Sequence, residues 1–259
     1  MNIELNYNLL CSLAVALIVG AASAYVGSVM VLKRLGLVGD ALSHVALPGI
    51  GVALTWQLDP FLGAFTALGL GILLIWQIGR VTTVPTESIV GLIFTVALAV
   101  GILVTPEPEL LEALFGDISS VAIVDVLVSI ALSSLIFVVM FFIRRKLLLG
   151  LLSKDFAKAQ GIKMDLIDLV FLALVAVVVA LGVKVVGTLL MGSLVIIPAV
   201  ASKNISHSFR AYGIISLLLG VISAVGGVLL AANFGLPPGP VVVLFSAAIF
   251  VTTLFFKRQ

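Results

Sequence analysis

Asp40 and His44 are the residues of this sequence whose types and spacing suit metal chemistry. They lie in Gly39-Asp40-Ala41-Leu42-Ser43-His44-Val45-Ala46-Leu47-Pro48-Gly49, inside a long apolar region. Residues four apart share one face of a helix. A carboxylate and an imidazole are costly inside a membrane and mark functional sites there. Pro48 adds a third feature, because it has no N–H and leaves the carbonyl of His44 without its i+4 donor. Gly49 and Gly51 loosen the same turn. An unpaired carbonyl at membrane depth is tolerated only within protein or beside a wet cavity. One imidazole nitrogen, one carboxylate and a nearby free carbonyl suit a divalent first-row metal such as Mn²⁺ or Zn²⁺. The same residues also admit a purely structural reading. Asp40 follows Gly39 and could N-cap a span, with His44 in a satisfied buried hydrogen bond. No His or Glu elsewhere in a span completes a coordination shell. The remaining ligands would be water, backbone or the same pair from a second copy.

Two further stretches carry possible function. Lys184 to Ala199, with Gly187, Gly192, Ser193 and Pro198, holds the small residues that let membrane helices approach closely. It reads as a tightly packed, kinked span or as the lining of a translocation path. Leu152-Ser153-Lys154-Asp155-Phe156-Ala157-Lys158-Ala159-Gln160-Gly161-Ile162 reads as a short helix, with Ser153 as N-cap and Gly161 as stop. Phe156 and Ala159 share a face, which suits a partner's groove or the lipid surface.

The elements that position these residues follow from composition. Of 259 residues, 62% are apolar and 10% charged. A soluble fold of this size needs a polar shell that so few charges cannot supply, which excludes a soluble enzyme, a nucleic-acid reader and a disordered chain. Crossing ~30 Å of hydrocarbon takes ~20 apolar residues. Stretches free of Asp, Glu, Lys and Arg run 5–32, 41–58, 60–79, 88–106, 126–143, 169–183, 185–202 and 211–256. The last is divided by the breaker Asn233 to Pro240, which makes nine segments. The short pair 169–183 and 185–202 reads as two spans with a tight turn or as one broken element, so eight to nine spans are expected. With the N-terminus outside, thirteen of the fourteen basic residues are cytoplasmic and only Lys184 is outside, as the positive-inside rule requires. Glu4, Asp59, Glu107, Glu109, Glu112 and Asp117 then face outward. With Arg34 at the cytoplasmic boundary, His44 lies ~15 Å deeper and Asp40 ~9 Å deeper along a helix.

Met1–Asn8 carries no Lys or Arg, so 5–32 is expected to be a retained span rather than a secretory signal. Loops are short, and residues 1–259 are expected to form a single transmembrane domain. No G-x-x-x-x-G-K-[ST] phosphate loop occurs, so ATP, if it drives the protein, is hydrolysed by another chain. H-E-x-x-H and G-x-S-x-G are also missing, which removes support for intramembrane proteolysis. One cysteine, Cys11, excludes a disulfide framework and reads as a small apolar residue. His207, between Lys203 and Arg210, reads as a solvated loop residue.

Together these stretches resemble the membrane permease subunit of ABC importers for manganese, zinc or iron, the ABC-3 family, over nearly the whole chain. GDALSHVALPG (39–49) is similar to the family's first signature and VGTLLMGSLVIIPA (186–199) to its second; FGDI (115–118) and Pro238-Gly239-Pro240 also resemble it. Leu47-Pro48-Gly49 is more like manganese and iron members than the proteobacterial zinc type. The resemblance implies an all-α polytopic permease of the prokaryotic plasma membrane, working as a homodimer. It implies a separate cytoplasmic ATPase and an extracytoplasmic metal-binding protein that delivers the ion. It gives Asp40 and His44 the role of holding the transported metal. It makes the segment at about 150–163, with Lys154, Asp155, Phe156, Ala157 and Lys158, the coupling helix that docks on the ATPase. No covalent cofactor is expected; the partners are those proteins and membrane lipid, not nucleic acid. Two other readings compete. In an ion-coupled secondary transporter, Asp40 and His44 would relay protons, but the inverted repeats common in such proteins are not visible. A siderophore- or cobalamin-type ABC permease would offer a large apolar path without a charged metal pair.

Overall fold

The computed structural model describes residues 7–105, 114–115, 121–188 and 191–256, with backbone alone for Lys154 and residues 184–186. Glu4, Glu107, Glu109, Glu112, Asp117, most of the FGDI stretch, Lys257 and Arg258 lie outside the described residues. All regular structure among the described residues is helical. In chain order it is α1 (Tyr7–Leu32), α2 (Gly36–Thr55), α3 (Pro60–Val81), α4 (Thr86–Val104) and α5 (Ile123–Leu152). There follow α6 (Lys154–Ala159), α7 (Met164–Val186), α8 (Met191–Ile205), α9 (Phe209–Phe234) and α10 (Pro238–Leu254).

Helix ends follow local chemistry. Asp59 caps α3, its carboxylate accepting from the N–H of Phe61 at 2.7 Å, and Pro60 opens the first turn. Ser208 caps α9 through the N–H of Ala211 at 3.1 Å. The breaker acts where expected: Gly235 is left-handed (φ 64°) and ends α9, and Pro238 starts α10. Each of the nine apolar segments is matched by a helix. Seven of these (α1–α5, α7 and α9) are long and apolar enough to cross a membrane, while α8 and α10 are shorter. The doubtful pair is two helices, and the break falls at Gly187 (φ 84°), not at Lys184, which lies within α7.

Several boundaries differ from the charge-free stretches, the starts of α2 and α7 and the end of α5 among them, because charges mark the edge of the hydrocarbon whereas helices end where hydrogen bonding ends. α2 begins at Gly36, not 41, because the chain reverses at Arg34 (φ 59°) and Leu35 N–H bonds back to Met30 O at 2.9 Å. α5 continues through Arg144, Arg145 and Lys146 to Leu152. Its 30 residues span ~45 Å, more than the ~30 Å thickness of the hydrocarbon.

α2 is the central element. It packs against α3, α4, α7 and α8 and touches α1 more lightly. Lipid tails are as apolar as leucine, so these contacts rely on close fit rather than on hydrophobic burial. At the α2–α3 crossing Gly49 and Gly63 face each other, and a Cβ on either would meet the other's carbonyl. α3, α4 and α5 leave most of their surface outward. Near the end of α3 Trp76 donates its indole N–H to Asp165 O at 3.2 Å, with Arg80 stacked over its ring at 4.6 Å. An aromatic–basic pair of this kind suits the membrane interface.

Candidate metal site

Asp40 and His44 occupy the second and third turns of α2, on one face. Asp40 is therefore not an N-cap: that position is Leu35, which makes no side-chain cap bond. The helix has more than a full turn before Asp40, which leaves its carboxylate free of a capping role. Asp40 is half-buried and His44 is 5% exposed. Among the described residues, the buried Nδ1 of His44 has no hydrogen-bond partner. The ring is held instead by Phe94 of α4, edge-on with centroids 5.1 Å apart. Ser43, between them in sequence, donates to Asp40 O at 2.6 Å and so turns back onto its own helix.

The neighbouring helices shape this site through small residues. Gly192 of α8 lies against Asp40, and a Cβ there would stand 2.6 Å from both Cα and Cβ of Asp40. About one turn beyond His44, Pro48 sits inside α2 and withholds an N–H from the carbonyl of His44. α4 crosses at this point: a Cβ on Gly101 would meet Leu47 Cβ at 2.8 Å and Pro48 Cδ at 3.3 Å. Thr105, which ends α4, places its buried hydroxyl 3.5 Å from Leu47 O. The second signature stretch thus reaches the first: its Gly192 is the floor on which Asp40 rests.

One carboxylate and one unpartnered imidazole nitrogen can ligate a divalent metal, but no group of three or more His, Cys, Asp or Glu occurs among the described residues. A resident structural metal ordinarily takes four protein ligands. Two suit an ion that arrives, is held briefly with water or backbone oxygen, and leaves.

The second candidate region is α6. Ser153 accepts from the N–H of Phe156 at 3.2 Å, and Gly161 (φ 76°) ends the helix. There Gly161 N–H bonds to Lys158 O at 2.9 Å and Ile162 N–H to Ala157 O at 3.1 Å, a Schellman-type stop. Asp155, Lys158 and Ala159 are exposed and Phe156 is 54% exposed. Ala157 points the other way, wholly buried, and anchors the helix to its own protein. The side chain of Lys154 lies outside the described residues.

Sequence reasoning missed the ion pair between Lys33 and Asp168, 135 residues apart. Both flank apolar segments, where they read as ordinary boundary charges, and no spacing rule links them. It also missed Phe94 and Thr105, which have no motif of their own. His207 is exposed and Cys11 is buried and free, as expected.

The chain matches the family model described as ABC 3 transport family over residues 6–257. It is 32% identical to the zinc transport system membrane protein TroC of Treponema pallidum, over 94% of this chain and 87% of the relative. It is 28% identical to the manganese import system permease protein ScaB of Streptococcus gordonii, over 94% and 89% respectively. Among solved structures it resembles PsaBC from Streptococcus pneumoniae in complex with Fab, with a TM-score of 0.87 and 25% identity, covering 98% of this chain and 93% of that one. With seven helices of spanning length and bacterial relatives throughout this set, it is a multi-pass protein of the prokaryotic plasma membrane. From its first helix to its last, the chain belongs to the ABC 3 transport family.

Proposed function

We propose that this chain is the permease subunit of an ATP-driven importer that passes a divalent transition metal, Mn²⁺ or Zn²⁺, into the cytoplasm, with Asp40 and His44 as the protein ligands of the ion in transit. The observation that carries this reading is the pair itself. A half-buried carboxylate and a buried imidazole, whose Nδ1 has no hydrogen-bond partner among the described residues, lie one turn apart on α2, beside a proline break. Both must be deprotonated to ligate, so a dication entering the site is met by one negative charge and one neutral donor. The names of the relatives, which include zinc and manganese systems, support a metal cargo. The chain does no covalent chemistry in this reading. A separate ATPase docks on α6 through Asp155, Phe156 and Lys158, with Lys154 beside them in sequence. An extracytoplasmic binding protein delivers the ion, and a second copy of the permease completes the path.

Asp40→Asn keeps size and removes the charge, while His44→Ala removes the nitrogen. Each should abolish metal uptake per assembled complex while leaving assembly with the ATPase intact. Were the pair structural, His44→Ala would lower stability and leave uptake per folded complex unchanged. Near-normal uptake by either variant removes that residue from the site. Comparing Mn²⁺ with Zn²⁺ in the same cells identifies the cargo.

A further inference from the structure

We propose that the Lys33–Asp168 ion pair is the joint that carries movement of α6 and α7 to α2, which makes both residues positioning residues for the coupled movement rather than for metal binding. The inference rests on the reading of α6 as the ATPase dock. Lys33 is the first residue of the three-residue link between α1 and α2, and this link is stiff. Its N–H bonds to Val29 O at 2.9 Å, Arg34 takes a left-handed turn, and Leu35 N–H bonds to Met30 O at 2.9 Å. A force on Lys33 is therefore delivered to the first turn of α2, and Asp40 lies in the second.

The other half of the joint is equally fixed. Asp168 stands in the second turn of α7, and α7 follows α6 through the hydrogen-bonded stop at Gly161 and Ile162. Buried Ala157 keeps α6 seated on its own protein. The exposed ring of Phe156 and the carboxylate of Asp168 thus belong to one short stiff unit. α7 also holds α3, through the Trp76 bond to Asp165 O, and α3 packs on α2 as well.

The environment suits a joint rather than a decorative surface pair. The side chains are only 16% and 30% exposed, and the Lys33 ammonium also lies 5.3 Å from the centroid of the fully buried Phe171 ring. An exposed pair is screened by water and exchanges partners freely. A pair largely withdrawn from water is strongly attractive, and either charge left alone there is costly. When α7 shifts, Lys33 follows Asp168 rather than letting go.

The test uses the whole transporter, permease with its ATPase and binding protein, in proteoliposomes. It reads Mn²⁺ imported per ATP hydrolysed, or Zn²⁺ if the unmodified protein carries no Mn²⁺. Asp168→Asn and Lys33→Met should each lower this ratio by about tenfold or more. Mn²⁺ bound by the solubilised complex without ATP should be unchanged. Exchanging the charges, Lys33→Asp with Asp168→Lys, should restore the ratio to within about threefold of the original. An unchanged ratio in either single variant overturns the proposal, whether or not the yield of complex falls, because a merely stabilising pair changes yield and not ratio. An exchanged pair that assembles without recovering the ratio also overturns it. Where a single variant does not assemble, the exchanged pair alone decides. Phe156→Ala is measured in parallel: if it keeps the ratio, the dock reading of α6 fails, and if only it loses the ratio, the joint fails.

Discussion

Replacing Gly192 by alanine should injure transport far more than it injures the fold. The new Cβ would stand 2.6 Å from Cα and Cβ of Asp40 and 2.8 Å from its N. Carbon atoms rest about 3.5–4.0 Å apart. Both sides of this contact are helix backbone or the first side-chain atom, so no rotamer change relieves it. α8 and α2 must part by roughly 1 Å, an overpacking that costs about 1–3 kcal/mol. A helical membrane protein with many other crossings can absorb that and still assemble. The ion site proposed at Asp40 could not, because metal–ligand distances are held to about ±0.2 Å. We expect uptake per assembled complex to fall by about tenfold or more, as a ~1 Å misplacement of a working group commonly does. The assay is radiolabelled metal uptake, normalised to complex recovered with the ATPase. Gly69→Ala is the control, since its added methyl meets nothing within 4 Å. Normal uptake per complex in Gly192→Ala would refute the argument that this close approach sets the position of Asp40, even with a lower yield.

Phe156→Ala should separate ATP hydrolysis from transport, because a buried aromatic anchor at a docking interface is commonly worth ~2 kcal/mol or more. Metal uptake and ATP turnover measured on the same preparation check this, and full coupled transport would sink the docking role. Orientation is tested by cysteine accessibility in a Cys11→Ala background. Leu58→Cys, in the exposed α2–α3 connection, should label with an impermeant thiol reagent from outside, and Lys158→Cys should not; the reverse pattern would overturn the assignment of basic residues to the cytoplasm.

Much of the candidate site was legible in the sequence because it is local. Asp40 and His44 are paired by helical periodicity alone, and Pro48 removes a hydrogen bond wherever its helix lies. The same holds for the cap at Ser153, for the stop at Gly161, for the breaker that contains Gly235, and for apolar runs long enough to cross a bilayer. Each depends on neighbours within a turn or two, or on transfer from water to lipid, which needs no tertiary contact. Hydropathy misplaced the start of α2 and the end of α5, because charge reports the membrane boundary and not the hydrogen-bonded end of a helix.

What touches what was decided only by the tertiary structure. These helices are apolar on nearly every side, so hydrophobicity does not single out the face that meets protein from the face that meets lipid. That choice was made by shape: Gly49 against Gly63, Gly101 against the Pro48 break, Gly192 beneath Asp40. It was made also by charge between segments far apart in the chain, as Lys33 meeting Asp168 shows. A glycine or a boundary lysine carries no mark of its partner. Only the packed bundle, in which backbones approach closely and a half-buried charge must find its opposite, assigns one.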